Sequence, residues 1–161
     1  MPLMLTSPAF SQNGDIPKIY TCDSQNVSPP LAWSGMPAKT ETLALIVDDP
    51  DAPDPKAPET TWVHWVLYNV PRTVTALPQA LTARHLPSGA QEGLNDWNQR
   101  GYGGPCPPTG RHRYVFQLFA LDTTLPDLKS PTKEQLLKAM EGHILDQAER
   151  VGTYERQPRG Y

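Results

Sequence analysis

Proline occupies 19 of the 161 positions, against a usual share of about 5%, and the excess is spread along the chain. The prolines sit between short apolar runs with strand character, which reads as many ordered turns joining strands and not as a disordered tail. At this length the chain, residues 1–161, is the size of one domain that buries roughly 70% of its unfolded surface, so one core suffices without a metal or disulfide. The expected fold is mainly β: two packed antiparallel sheets with one long C-terminal helix.

The most informative stretch runs from Arg100 to Asp122, RGYGGPCPPTGRHRYVFQLFALD. Its first half alternates glycine and proline, which gives a stiff loop of defined shape. From Arg111 the pattern switches to period two: His112, Tyr114, Phe116 and Leu118 point to one face, Arg113, Val115, Gln117 and Phe119 to the other. A polar pair, His112 and Tyr114, on the apolar face of a strand beside a rigid loop reads as one wall of a small pocket.

Two other strands carry polar insertions. Thr42–Val47, TLALIV, reads as a buried strand that ends at Asp48-Asp49-Pro50-Asp51-Ala52-Pro53-Asp54-Pro55, where the prolines should stop the ladder. Asp49, nearest the strand end, is the candidate functional carboxylate, and Asp54 reads as an exposed acidic turn. Trp62–Val70, WVHWVLYNV, is apolar on both faces and so should be covered on both sides, which leaves His64 little water. A lone buried histidine is usually satisfied structurally. Three polar insertions into apolar strands point instead to one shared site.

Residues 1–40 read as irregular, with short strands at Ala9-Phe10, Ile19–Cys22 and Ser28–Trp33. Weakly patterned residues 71–100 hold a helical turn near Gln79–Ala83, with His85 on the surface. The helix should start either at Ser130 with Pro131 in its first turn, or at Thr132 with Gln135 closing a capping box. Leu136, Leu137, Met140, Ile144, Leu145, Ala148 and Val151 form its expected apolar stripe, Gly152 its stop, and Thr153–Arg156 a short strand before a polar tail.

Cys22 and Cys106 lie far apart in sequence and form no C-x-x-C pair; the fold could make them neighbours, but in a reducing cytosol free thiols are expected. The N-terminus lacks a basic n-region, and no segment has the roughly 20 apolar residues of a membrane span, so a cytoplasmic protein without stable membrane insertion is expected. A net charge of −3 argues against nucleic acid as partner.

DDPDAP at 48–53, WVHW at 62–65 and GPCPPTGRHRY at 104–114, in that order, resemble the signatures of the phosphatidylethanolamine-binding proteins, specifically their prokaryotic Raf-kinase-inhibitor-like branch. IPKIYTCD, SPPLAWSGMP, FQLFALD and MEGHILDQAERVGTYER agree, so the resemblance covers about Phe10 to Arg156. Ser24 departs from the glycine common after the CD pair. The resemblance implies a two-sheet β fold with a small surface pocket for phosphate or a phosphorylated head group. By position, the ligand-binding residues would be Asp49, His64, Gly104, His112 and Tyr114, with Asp51 and Arg113 as a supporting pair and Pro105 beside them. It also implies a tendency to dimerise, although no self-complementary patch is legible, and the absence of the C-terminal segment tied to partner regulation in animal members.

The leading function is therefore non-enzymatic binding of a small anionic or phosphorylated ligand, with regulation of a protein partner as its output; no cofactor or metal is expected. Imidazole, phenol and the Gly104 amide would supply donors. An imidazole of ordinary pKa makes anion affinity rise as pH falls from about 7.5 to 6. Three alternatives compete. A hydrolase could use His64 or His112 with Asp49, or a Cys106 thiol. A metal could sit between His64, His112 and Asp49. An inhibitor could act on a kinase or protease partner by surface contact alone.

Overall fold

The computed structural model describes residues 2–156. Among these residues nine strands form two sheets: β1 (Met4–Thr6), β2 (Gly14–Asp15), β3 (Leu31–Ser34), β4 (Thr42–Ala52), β5 (Thr60–Pro71), β6 (Ala76–Leu77), β7 (Gln91–Glu92), β8 (His112–Leu121) and β9 (Ile144–Tyr154). A small sheet has the order β1-β3-β6 and a large one β2-β9-β8-β4-β5-β7. All pairings are antiparallel except that of β2 with β9. This is the expected two-sheet, mainly β architecture.

The central trio β5-β4-β8 carries the apolar runs, and alternation sends their side chains into two cores. On one face Leu43, Leu45, Val47, Trp65, Leu67, Phe116 and Leu118 pack against Leu5, Leu31, Trp33 and Leu77 of the small-sheet strands. On the other, Ala44, Ile46, Val66, Tyr68, Phe119 and Leu121 lie beneath the helix α1, Lys133–Met140, through Leu136 and Met140.

That helix is much shorter than its apolar spacing suggests. Thr132 caps it with the expected box: the Gln135 amide donates to Thr132 Oγ1 (3.2 Å) while Gln135 Oε1 accepts from the Thr132 amide (3.0 Å). It stops before Gly142, which sits at φ +81°, a left-handed conformation that ends a helix. Ile144, Leu145, Ala148 and Val151 belong to β9, which runs antiparallel to β8 along its whole length. The ladder supplies partners that the edge of β8 would otherwise lack. Gly152 lies inside that strand, opposite Tyr114, and Thr153-Tyr154 complete it. The polar tail beyond Arg156 lies outside the described residues. Replacing Thr132 by alanine should cost about 1 kcal/mol of stability in urea unfolding. An unchanged midpoint would mean that packing of Leu136 and Met140 alone sets the helix start.

Other boundaries shift as well. Residues 18–20 form a 3-10 turn where a strand at Ile19–Cys22 is expected, the strand near Ala9-Phe10 lies earlier as β1, and the short helical turn falls at Ala83–His85. β4 does not end at Asp48 but continues to Ala52, and the Ala52–Pro53 peptide is cis. Asp48, Asp49 and Asp51 are consequently buried in the sheet, each with a cationic or imidazole partner: Lys133, His112 and Arg113. Strand alternation separates the first two: Asp48 reaches under α1, and Asp49 reaches the opposite face.

Cys22 and Cys106 are joined in a disulfide. This overturns the expected free thiols, and its cause is backbone packing. The Cys22 amide donates to Pro105 O at 3.1 Å, and the Gly104 backbone runs so close to Tyr20 and Thr21 that an added Cβ would lie 2.2 Å from Tyr20 O. The two cysteines therefore arrive side by side.

Candidate functional site

Antiparallel pairing brings the C-terminal end of β4 and the N-terminal ends of β5 and β8 to one end of the large sheet, with Asp49 in register with Trp62. There a cavity of about 290 Å³ is lined by Asp49, Ala52, Pro53, Trp62, His64, Trp97, Cys106, Pro107, Pro108, His112 and Tyr114. The three polar insertions read from sequence thus meet in one place. A larger surface groove of about 890 Å³, between Ala83, Gln91, Arg100 and Lys129, contains none of the expected site residues.

His112 is completely buried, and both of its nitrogens are committed. Nε2 faces Thr109 O at 2.8 Å, and since a carbonyl only accepts, Nε2 carries a hydrogen. Nδ1 lies 2.5 Å from Asp49 Oδ2, so one proton sits between them. Asp49 Oδ1 accepts from the Asp51 amide at 2.7 Å. Burial pushes the Asp49 carboxyl above its ordinary range, against the lowering effect of the bonds from His112 and the Asp51 amide.

His64 donates from Nδ1 to Gly103 O at 2.7 Å, and the Gly103 amide donates back to His64 O at 3.0 Å. Its ring stands edge-on to Trp97 (centroids 5.1 Å) and to Tyr114 (5.2 Å). Gly103 is required for this arrangement, because a Cβ would meet the Trp97 ring at 2.4 Å. Burial lowers the His64 pKa from the ordinary 6.5 to about 4, with the bonds to the Gly103 and Gly104 backbone opposing it and the His112 charge adding to it. His64 is therefore neutral between about pH 6 and 7.5. In the ligand-free protein the titration of this ring is thus displaced below the window expected from an ordinary imidazole.

Tyr114 is buried with its hydroxyl unpaired in the cavity wall. Burial first, and then the Asp49 charge, hold its phenol far above the ordinary value, so it is a neutral donor. Gly104 does not line the cavity with these groups. Its amide donates to Asn26 Oδ1 at 2.8 Å, so the expected free amide donor is already engaged, and the residue serves close backbone packing. Pro105 sits in the same contact. Asp51 and Arg113 form the forked pair anticipated from sequence, with Arg113 Nε and Nη2 donating to Asp51 at 3.0 and 2.8 Å and the Arg113 amide at 2.9 Å, tying β4 to β8.

Trp97 was not singled out by sequence reasoning. It stands in a polar loop, NDWNQR, 42% exposed, and contacts Trp62 edge-on at 5.6 Å to make an aromatic rim. A lone tryptophan in such a loop was the available signal. Cys106 lies on the rim as a disulfide half, so the thiol of the hydrolase alternative is not free. Among the described residues, no three His, Cys, Asp or Glu side chains are grouped to hold a metal ion, and no helix is long and apolar enough to cross a membrane.

A family model described as phosphatidylethanolamine-binding protein matches residues 6–155. A protein of Methanothermobacter thermautotrophicus designated UPF0098 is 48% identical over 153 residues, covering 94% of this chain and 98% of its own length. A solved structure described as a putative phosphatidylethanolamine-binding protein homolog from Chlamydia trachomatis is similar, with a TM-score of 0.88, 44% identity and coverage of 97% of this chain and 99% of the other. So is E. coli YbcL, described as a new member of the mammalian family, with a TM-score of 0.87, 32% identity and coverage of 98% and 100%. The ordered motifs, the two-sheet fold and these matches establish that the chain belongs to the phosphatidylethanolamine-binding protein family.

Proposed function

We propose that the protein is a non-enzymatic binding module that takes a small anionic or phosphorylated ligand, such as phosphate or a phospholipid-type head group, into the cavity between Asp49, His64, His112 and Tyr114. The observation that carries this reading is the Tyr114 hydroxyl, a buried donor without a partner in the wall of a cavity. Leaving such a group unsatisfied costs roughly 1–3 kcal/mol, which a ligand oxygen would recover. The head-group chemistry follows the family, and the small volume suits a group of that size. Turnover is disfavoured because Asp49 and His112 are locked to each other and to the backbone, and the cavity lining holds no serine, threonine or free thiol. Occupancy, relayed to a protein partner, is then the output.

Calorimetric titration of inorganic phosphate and O-phosphoethanolamine into the wild type and Tyr114→Phe tests this. Saturable binding should weaken roughly tenfold in the variant, the effect of one lost hydrogen bond, with thermal stability unchanged or slightly raised. Equal affinity in both proteins would move the ligand away from this cavity, and no binding to the wild type would remove the anion reading.

A further inference from the structure

We propose that the cavity selects the singly protonated monoanion of a phosphomonoester over any fully deprotonated or proton-free oxyanion, because the ligand must donate a hydrogen bond to His64 Nε2 while accepting one from the Tyr114 hydroxyl. This rests on the anion-binding function proposed above and specifies its ligand.

The polar inventory of the wall leads there. Gly103 O can only accept, so the hydrogen of His64 sits on Nδ1. Nε2 of the neutral ring is then a bare lone pair, and it has no partner among the described residues. The other groups expected to donate are spent. His112 bonds Thr109 O and Asp49, and the Gly104 amide bonds Asn26. Arg113 is forked onto Asp51 with its side chain 59% exposed. Of the residues expected to bind the ligand, Tyr114 alone keeps a free donor.

Charge points the same way. The titratable groups in the wall are Asp49, His64, His112 and Tyr114; the Asp51–Arg113 pair, Tyr102 and Tyr154 stand behind them, and Asp96 is engaged by the Val63 amide on the strand of His64. Asp49 and His112 share one proton and together carry no net charge. Asp51 and Arg113 cancel, and the phenols are neutral. A dianion would enter a partly dry site that offers no compensating cation, with one of its oxygens set against the lone pair of His64. A P–O–H group removes one charge and supplies the missing donor in one step.

Phosphate affinity rises on mild acidification whether the titrating proton sits on an imidazole or on the ligand. Sulfate separates them, being a tetrahedral dianion with no proton to offer in this range. The experiment titrates methyl phosphate, dimethyl phosphate and sulfate into the full-length wild type between about pH 5.5 and 8, which brackets the second phosphomonoester pKa of about 6. Affinity for methyl phosphate should fall roughly tenfold per pH unit above about 6, while sulfate stays weak and flat from about pH 7.5 to 6. Dimethyl phosphate, a monoanion without an O–H, should bind at least about tenfold more weakly than methyl phosphate at the low end.

Sulfate affinity climbing in step with that of methyl phosphate would overturn the proposal, since the titrating proton would then be on the protein. So would methyl phosphate binding that is indifferent to pH. Both results keep saturable anion binding and so leave the general function standing; failure of all three probes at every pH would remove both. Vesicles carrying phosphatidic acid, a lipid phosphomonoester, form the second arm. If they compete with methyl phosphate, the same protonated group is taken from a membrane, and if they do not, the ligand is a soluble phosphomonoester; either result presupposes the selectivity measured in the first arm.

Discussion

Replacing Cys22 and Cys106 together by serine is expected to lower the unfolding free energy by about 4.5 kcal/mol, the order given by chain entropy for closing a loop of 84 residues. The loop includes β3 to β7, and with them β4 and β5, so the unfolded chain gains freedom over the segments that must find β8. Serine keeps the shape of the thiol, and Cys106 is exposed, so little packing is lost there. Urea unfolding of the oxidised wild type and the double variant measures the difference. A loss under about 1 kcal/mol would show that the Gly104–Pro105 contacts with Tyr20, Thr21 and Cys22 already restrict the denatured chain, or that the cross-link strains the native one.

The second large effect is on acid stability. His64 has an ordinary pKa of 6.5 and a native value of about 4, set by burial between Trp97 and Tyr114. A depressed native pKa means that the unfolded chain binds more protons in between. Stability is therefore fully present above about pH 6.5 and is lost as pH falls toward 4, by about 3 kcal/mol in all. Asp49 acts in the opposite sense: its raised carboxyl pKa contributes stability at low pH that is lost as pH rises through the native value. Asp51 and Asp23, held low by Arg113 and Tyr154 respectively, add acid lability, but only below the ordinary aspartate range. The His64 share is isolated by comparing wild type with His64→Phe. Between about pH 6.5 and 4 the wild type should lose stability with the steeper slope, whatever the absolute stability of the variant. Parallel slopes would mean that His64 is charged in the folded protein, and its Nε2 would then be a donor and not an acceptor.

The fold was legible where side-chain pattern and environment coincide. His112 and Tyr114 alternate with Arg113 on a strand whose two sides differ, so period two was enough to place them on one face. His64 lay in a run apolar on both sides, and its burial followed. The motifs of the family resemblance located the cavity residues, but not which of their atoms are free. The commitment of the Gly104 amide to Asn26, and of His112 Nδ1 to Asp49, depends on contacts across 78 and 63 residues that no local pattern encodes. The C-terminal stretch misled because Ile144, Ala148 and Val151 happen to fall at helical spacing. The inward positions of β9 include Asp146 and Arg150, so its alternation is chemical noise to a hydrophobicity reading. Gly142, eleven residues into the segment that starts at Thr132, was the local cue for the break. The disulfide was invisible because nothing near Cys22 marks its neighbour. In the acidic stretch, stopping the strand at Asp48 hid the fact that Asp48 and Asp49 face different cores.

The placement of the cavity across β5, β4 and β8 also bears on the order of events in folding. Asp49 and Trp62 belong to a local hairpin, whereas His112 and Tyr114 must be brought in across some sixty intervening residues, the slow kind of contact because loop closure precedes any gain. Until β8 docks, the chain has neither the Asp49–His112 pair nor the Tyr114 wall. A ligand of the proposed site would therefore recognise only the finished molecule and stabilise it by mass action, while intermediates that have formed the hairpin alone would pass unseen.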